Sequence, residues 1–344
     1  MAAVTIRVPA GVLAALALAS AGCRGAGHEV AVRVDSAQLA LFAPLPDVMV
    51  AAAHPITDAK IELGRRLFFE TKLSLGNDLS CDGCHDLGKF GADTGAVSAG
   101  HLGKTGVRNA PTVYNAAGHI AQFWDGRASD VEAQALVPIL DTVEMAMPSG
   151  RAVVARLRAD TLYRRMFSAA FPGERDPITY PNLGRAVGAF ERKLVTPSRW
   201  DRFLRHDVAA LTNAEKVGFN TFAATGCVTC HNGTYVGGAM YMKAGLVRPW
   251  PDTTDLGRMG VTHQPGDRMV FKVPSLRNIE HTAPYFHNGA VRSLDTAVVW
   301  MARYQLGKEL AAQQVAQIVT WLRALSGVIP ARYVARPAGM PASK

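Results

Sequence analysis

The sequence predicts a mostly α-helical protein with a helical unit in each half of its 344 residues. Three observations lead there. Apolar residues recur at three- and four-residue intervals in several stretches, the mark of helices with one buried face. No stretch alternates polar and apolar residues over the length of a strand, and there is no short tandem repeat. The run Cys81-Asp-Gly-Cys84-His85 returns as Cys227-Val-Thr-Cys230-His231, one copy in each half.

A C-x-x-C-H run is the attachment pattern of a c-type haem. Its two thiols add across the haem vinyl groups, and the histidine supplies one axial nitrogen to the iron. Two C-x-x-C pairs also suit one four-thiolate zinc site, two redox dithiols or two structural disulfides. None of these requires a histidine directly after the second cysteine, and here it follows both times. The two histidines stand 146 positions apart in a chain with five cysteines. At ~150 residues per domain the length suggests about two domains, and the two runs read as the attachment points of two covalent haems.

In chain order, residues 1–22 read as an export signal. Arg7 precedes the apolar run Val12–Ala19 and the small residues Ser20, Ala21 and Gly22. The run is too short to span a bilayer as a mature helix. Ala19-Ser20-Ala21 offers a cleavage site, while Gly22-Cys23 is similar to a lipobox in which Cys23 becomes a lipidated first residue. Either route leads to the periplasm, where c-type haem is attached. Residues 23–55, with Pro44, Pro46 and Pro55, read as a tether and extended lead-in.

Residues 56–196 form the first predicted domain. Thr57-Asp58 caps a helix to about Glu70 with Ile61, Gly64 and Phe68 on one face. After His85, glycines at 88, 91, 95, 100, 103 and 106 predict a mobile loop without regular structure. His101 sits in it, either as a solvent-facing histidine or as a sixth iron ligand able to leave. Trp124 is either core or a path for electrons between two haems. A short helix from Val131 carries Gln134 and breaks before Pro138, and Glu144 follows. Residues 151–171 and the stretch from Leu183 to Leu194 are amphipathic, and Pro197 marks the boundary. Residues 197–327 form the second domain, with helices at about 213–224, 294–306 (carrying Met301) and 310–325. Residues 328–344 are a C-terminal tail. The net charge of +9 is scattered rather than gathered in a basic tract, which argues against nucleic acid and suits steering of a small acidic partner.

These residues together resemble the bacterial dihaem cytochrome c peroxidase family, whose wider circle includes MauG-like enzymes. The likeness runs from about Ile61 to Gly327. It rests on both C-x-x-C-H runs, Ser98-Ala-Gly-His101, Arg108-Asn-Ala-Pro-Thr, Phe123-Trp-Asp-Gly-Arg-Ala128, Glu144-Met, Val273-Pro-Ser-Leu-Arg-Asn and Pro284-Tyr-Phe-His-Asn-Gly. The resemblance implies two cytochrome c-like helical domains, each holding one covalent haem. It makes the Cys81/Cys84/His85 haem the peroxidatic centre, with His101 as its removable distal ligand. The Cys227/Cys230/His231 haem becomes the electron-entry centre, with Met301, fourteen residues after His287, as sixth ligand. Trp124 matches the tryptophan between the haems, and Gln134 and Glu144 the polar pair of the distal pocket. Asn109, Thr282 and Pro284 match residues around a calcium ion at the domain junction.

The implied activity is reduction of hydrogen peroxide to water, with electrons from a small cytochrome c or blue-copper protein. The family's members are usually homodimers. A thioether ligand favours ferrous iron and raises its potential, whereas two imidazoles lower it. Two rivals stand beside this reading. A MauG-like enzyme oxidising aromatic residues of a partner protein would replace Met301 by tyrosine, and Tyr304 lies three residues on. A non-enzymatic dihaem electron carrier would need neither an open iron nor the Glu144 and Gln134 pair.

Overall fold

Most of the long helices begin where the sequence offers a side-chain cap, Ala312–Arg323 after Ala311 being an exception. Thr57 caps Asp58–Phe68, Ser149 caps Gly150–Ala159, Thr179 caps Tyr180–Glu191, and Thr212 with Glu215 forms a capping box on Asn213–Thr225. The computed structural model describes residues 1–3 and 31–343, so the export signal and Cys23 lie outside the described residues. From Val32 on, the chain forms one compact unit.

Buried apolar side chains gather in two main clusters. In the first, Leu63, Leu67 and Phe68 meet Tyr163, Phe167, Leu183, Val187 and Phe190. Gly64 lets two of its helices touch, since a Cβ there would stand 1.8 Å from the Ala186 carbonyl oxygen. In the second, Trp200 is fully buried against the rings of Phe42, Phe219 and Trp321, with centroids at 5.5, 5.1 and 5.3 Å. Helices Asn213–Thr225 and Ala312–Arg323 supply most of the rest.

Several predicted elements come out differently. The amphipathic run 151–171 is two helices, Gly150–Ala159 and Thr161–Ala170, because Asp160 ends one and caps the next. Pro138 starts a second short helix, Val137–Leu140, rather than only ending the first. The predicted helix at 294–306 is α-helical over Leu294–Trp300 and then widens into a π-turn, Met301–Gln305. A small antiparallel pair, Tyr241–Lys243 with Val270–Lys272, places Tyr241 opposite Lys272. Its strands are three residues long, too short to leave an alternating pattern.

Both predicted tails are structural. Within the 23–55 lead-in, Phe42 enters the second core, the Leu45 amide donates to Asp201 Oδ1 at 2.7 Å, the Met49 amide donates to the Arg192 carbonyl and Arg192 Nη1 donates to the Met49 carbonyl. The C-terminal segment returns to the first cluster, where Tyr333 is buried and Arg336 pairs with Asp82 at 3.0 Å.

The structure also holds an internal repeat that the sequence does not announce. Pro111, Asn115, Phe123 and Gly126 recur 163 positions later as Pro274, Asn278, Phe286 and Gly289. Asn115 and Asn278 both have φ 61°, and each starts a 3₁₀ turn. Phe123 and Phe286 have φ 64° and 69°. The bridge Gln122–Ala128 recurs as Tyr285–Val291, and helix Val131–Gln134 as Leu294–Trp300. The copies are stitched reciprocally: the Asn109 amide donates to the His287 carbonyl at 2.7 Å, and its counterpart Lys272 donates to the Trp124 carbonyl at 2.8 Å. Thr196 sits in the seam, its hydroxyl oxygen accepting from Asn115 at 2.8 Å and Asn278 at 2.9 Å.

Candidate functional site

The two C-x-x-C-H runs form short helical turns, Cys81–Cys84 and Cys227–Thr229, with the histidine just beyond each. The four cysteines of the two runs form no disulfide. Burial, aided by the nearby Glu191 carboxylate, pushes the Cys81 thiol far up, and burial raises Cys227 to about 12. Among the described residues, only His54, Asp130 and Glu132 bring three His, Cys, Asp or Glu ligand atoms within 4.8 Å of one another. The cysteine pairs therefore do not assemble a four-thiolate zinc site.

His85 Nδ1 lies 3.2 Å from the Gly91 carbonyl oxygen. A carbonyl only accepts, so Nδ1 carries the proton and Nε2 is left as the donor atom for a metal. Burial lowers the His85 pKa, opposed by the carbonyls of Gly91 and Pro111. His231 is set in a similar, buried surrounding. Burial holds it down to about 4 against the carbonyls of Val236 and Pro274, and its Nδ1 makes no hydrogen bond. Pro111 and Pro274 are repeat counterparts, so each half aims an equivalent proline carbonyl at its histidine.

A cavity of about 240 Å³ brings Cys227, Cys230, His231 and Met301 together, walled largely by apolar groups such as Phe222, Leu294 and Leu322. Two thiols, a neutral imidazole and a thioether on one apolar cavity form a donor set that fits a covalently held, six-coordinate haem. Met301 opens the π-turn, a distortion common at functional sites. Tyr304 does not line the cavity; it packs edge-on to Trp250 and Trp300.

Around the first run the structure gathers Cys84, His101 and Glu144. The His101 amide donates to the carbonyls of Val143 (2.9 Å) and Glu144 (2.8 Å). Gly100 makes that approach possible, because a Cβ there would stand 2.1 Å from the Val143 carbonyl oxygen. Cys84 is raised first by burial and also by the fields of Asp93 and Glu144. Burial raises the Glu144 carboxyl, Asp141 adds to the rise, and Arg127 opposes it. Arg127, whose role the sequence does not signal, lies over the Phe123 ring at 3.4 Å and bonds Asp125 at 3.1 Å. Gln134 is half-buried on the adjoining helix and makes no hydrogen bond to Glu144. Just after Glu144, the Met145 and Met147 amides bond the Pro138 and Ile139 carbonyls of the short helix Val137–Leu140.

Trp124 lines the cavity, donates Nε1 to the Asn109 carbonyl at 2.9 Å and meets its counterpart His287 edge-on at 6.4 Å. Asn109, Thr282 and Pro284 line the same cavity. The Asn109 side-chain Nδ2 is committed to the Gly95 and Ala96 carbonyls, so its Oδ1 is the atom that suits a hard cation. Arg108 ties the halves through a two-point pair with Asp255, at 2.7 and 2.8 Å.

The family model described as di-haem cytochrome c peroxidase matches residues 58–209. The chain is 43% identical over 298 residues to cytochrome c551 peroxidase of Pseudomonas aeruginosa, covering 85% of this chain and 86% of that one. It is 43% identical over 285 residues to the protein of the same name from Nitrosomonas europaea, covering 82% and 84%. A solved MauG-like protein associated with microbial copper homeostasis superposes with a TM-score of 0.74 at 28% identity, over 85% of this chain and 97% of its own.

Proposed function

This chain belongs to the di-haem cytochrome c peroxidase family, and on that premise we propose that it reduces hydrogen peroxide to water in the periplasm with electrons from a small redox protein. The observation that carries the reading is the pair of unlike histidine sites. His231 shares its apolar cavity with a thioether, whereas at the first run Cys84 feels the field of Glu144, a carboxylate of raised pKa whose backbone carbonyl accepts from the amide of the loop histidine His101. Each half acts as a domain holding one covalent haem, on Cys81/Cys84/His85 and on Cys227/Cys230/His231. When bound, the haem irons supply the redox chemistry and the place where peroxide is split.

The chain's own groups do the rest. Met301 keeps the second site closed to peroxide and favours the reduced metal. His101 closes the first site at rest and leaves on activation. Its loop suits release: the anchors found are backbone bonds to residues 143, 144 and 104, and Leu102 and Val107 are 84% and 80% exposed. Glu144, positioned beside that loop, takes a proton from one peroxide oxygen and returns it to the other. With two electrons and two protons, one peroxide becomes two waters. Trp124, against the Asn109 backbone, lies on the route between the halves. Asn109, Thr282 and Pro284 supply neutral oxygens to a calcium ion at that junction. The arrangement disfavours a MauG-like exchange of axial ligand, since Met301 and not Tyr304 faces the cavity.

The test is Glu144→Gln. Peroxide-dependent oxidation of a reduced cytochrome c slows at least about tenfold, the low end of general acid–base help, while both haem spectra persist. Unchanged turnover removes Glu144 from the proton path. Absence of peroxidase activity in the unsubstituted, haem-loaded protein rejects the function.

A further inference from the structure

Lys272 presents a buried charge without a counter-charge. It is 8% exposed and lies on the wall of the cavity that holds His231 and Met301. Burial alone pulls its pKa down to about 8, with no carboxylate contributing. The hydrogen-bond contact of its ammonium is His119 Nδ1 at 3.2 Å. His119 lines the same cavity, and its Nε2 is buried with no partner. Isolated buried ammonium groups are costly and persist where an anion completes them. A lone imidazole does not supply that anion.

The internal repeat gives the position a second meaning. Lys272 is the counterpart of Asn109, and His119 the counterpart of Thr282, each 163 positions apart. Asn109 and Thr282 belong to the trio read above as a cation site. On the other side of the seam, the same two backbone positions carry a fixed cation and an imidazole instead.

We propose that Lys272 and His119 form a carboxylate-binding site for a propionate of the haem held by Cys227, Cys230 and His231. Lys272 Nζ donates to the carboxylate, and the unpartnered His119 Nε2 faces it as a second polar contact. Lys272 is thus a positioning residue that also sets the potential of the electron-entry centre. With Lys272 gone, the propionate charge is uncompensated and favours ferric iron.

This inference rests on the two-haem reading, and its test separates the two. Covalent haem is counted in the unsubstituted protein, and fewer than two per chain overturns both. Lys272→Met is then titrated spectroelectrochemically. The reduction equilibrium of the methionine-ligated haem shifts at least tenfold toward the oxidised form, about 59 mV downward for one electron. The other haem moves less than twofold, and Lys272→Arg stays within twofold of the parent. Two haems per chain with an unshifted Lys272→Met overturns the inference alone. Should the apolar variant fail to accumulate, Lys272→Gln keeps length and polarity and is read the same way.

Discussion

Asp201 ties the lead-in, the start of helix Arg199–Leu204 and the Arg277 loop together through one carboxylate. Its Oδ1 accepts the Leu45 amide from the lead-in, and its Oδ2 accepts the Ser198 amide and Arg277 Nη1, each at 2.7 Å. Both partners of the ion pair are buried, with side chains 0% and 1% exposed. Burial works against the Asp201 charge, but Arg277 and the two amides outweigh it and hold the carboxyl below its usual range. Removing one member of such a pair leaves the other charge buried, so Asp201→Asn should cost about 3–5 kcal/mol. The pH dependence has a definite sign. A folded pKa below the unfolded one stabilises fully above the unfolded value, near 4, and that contribution is lost as pH falls through the depressed value. Urea unfolding followed by tryptophan fluorescence should therefore show the gap between parent and variant closing on acidification. A gap that is constant down to the acid limit, or absent at neutral pH, contradicts this account of Asp201.

At the scale of elements, the repeated loop and the π-turn decide what each half can bind. Helix Leu294–Trp300 corresponds to Val131–Gln134, yet only the second copy continues into a π-turn that carries Met301. Met301→His should lower the midpoint of the second haem, because a second imidazole replaces a soft thioether. An unmoved midpoint in a redox titration means another residue is the ligand. Much of this level was readable in the residues. The C-x-x-C-H runs, the caps at Thr57 and Thr212 and the break at Pro138 all act locally, so local sequence reports them. The repeat was hard to read, because only scattered identities recur among unlike residues and the shared feature is backbone conformation. Asn115 and Asn278 share a left-handed φ, but Tyr114 faces Arg277 and Trp124 faces His287 in the aligned copies. Lys272 and His119 were hidden for the same reason, since their contact spans 153 positions.

At the scale of the whole molecule, Phe42 and Leu45 of the lead-in reach the second half, and the C-terminal segment returns to the first. Neither was legible, because proline-rich or short segments without periodicity read as tails whether or not a core receives them. The C-terminal return bears directly on the first haem run. Arg336 pairs with Asp82 inside it, the Ser80 amide just before it donates to Ser343 Oγ at 3.0 Å, and Tyr333 packs edge-on to Phe190 at 5.8 Å. Burying a side chain the size of Tyr333 contributes roughly 1.5–3 kcal/mol. Deleting residues 329–344 should therefore destabilise the first cluster by at least about 2 kcal/mol while leaving the core around Trp321 intact. The loss is expected to be local, because the deleted contacts fall on one cluster only and stability varies across a structure. Hydrogen exchange read by mass spectrometry should quicken over residues 80–85 and over helix Asp58–Phe68, with helix Ala312–Arg323 unaffected. Equal acceleration in both halves would mean that they unfold as one cooperative unit and that the segment supports the whole rather than the first haem site.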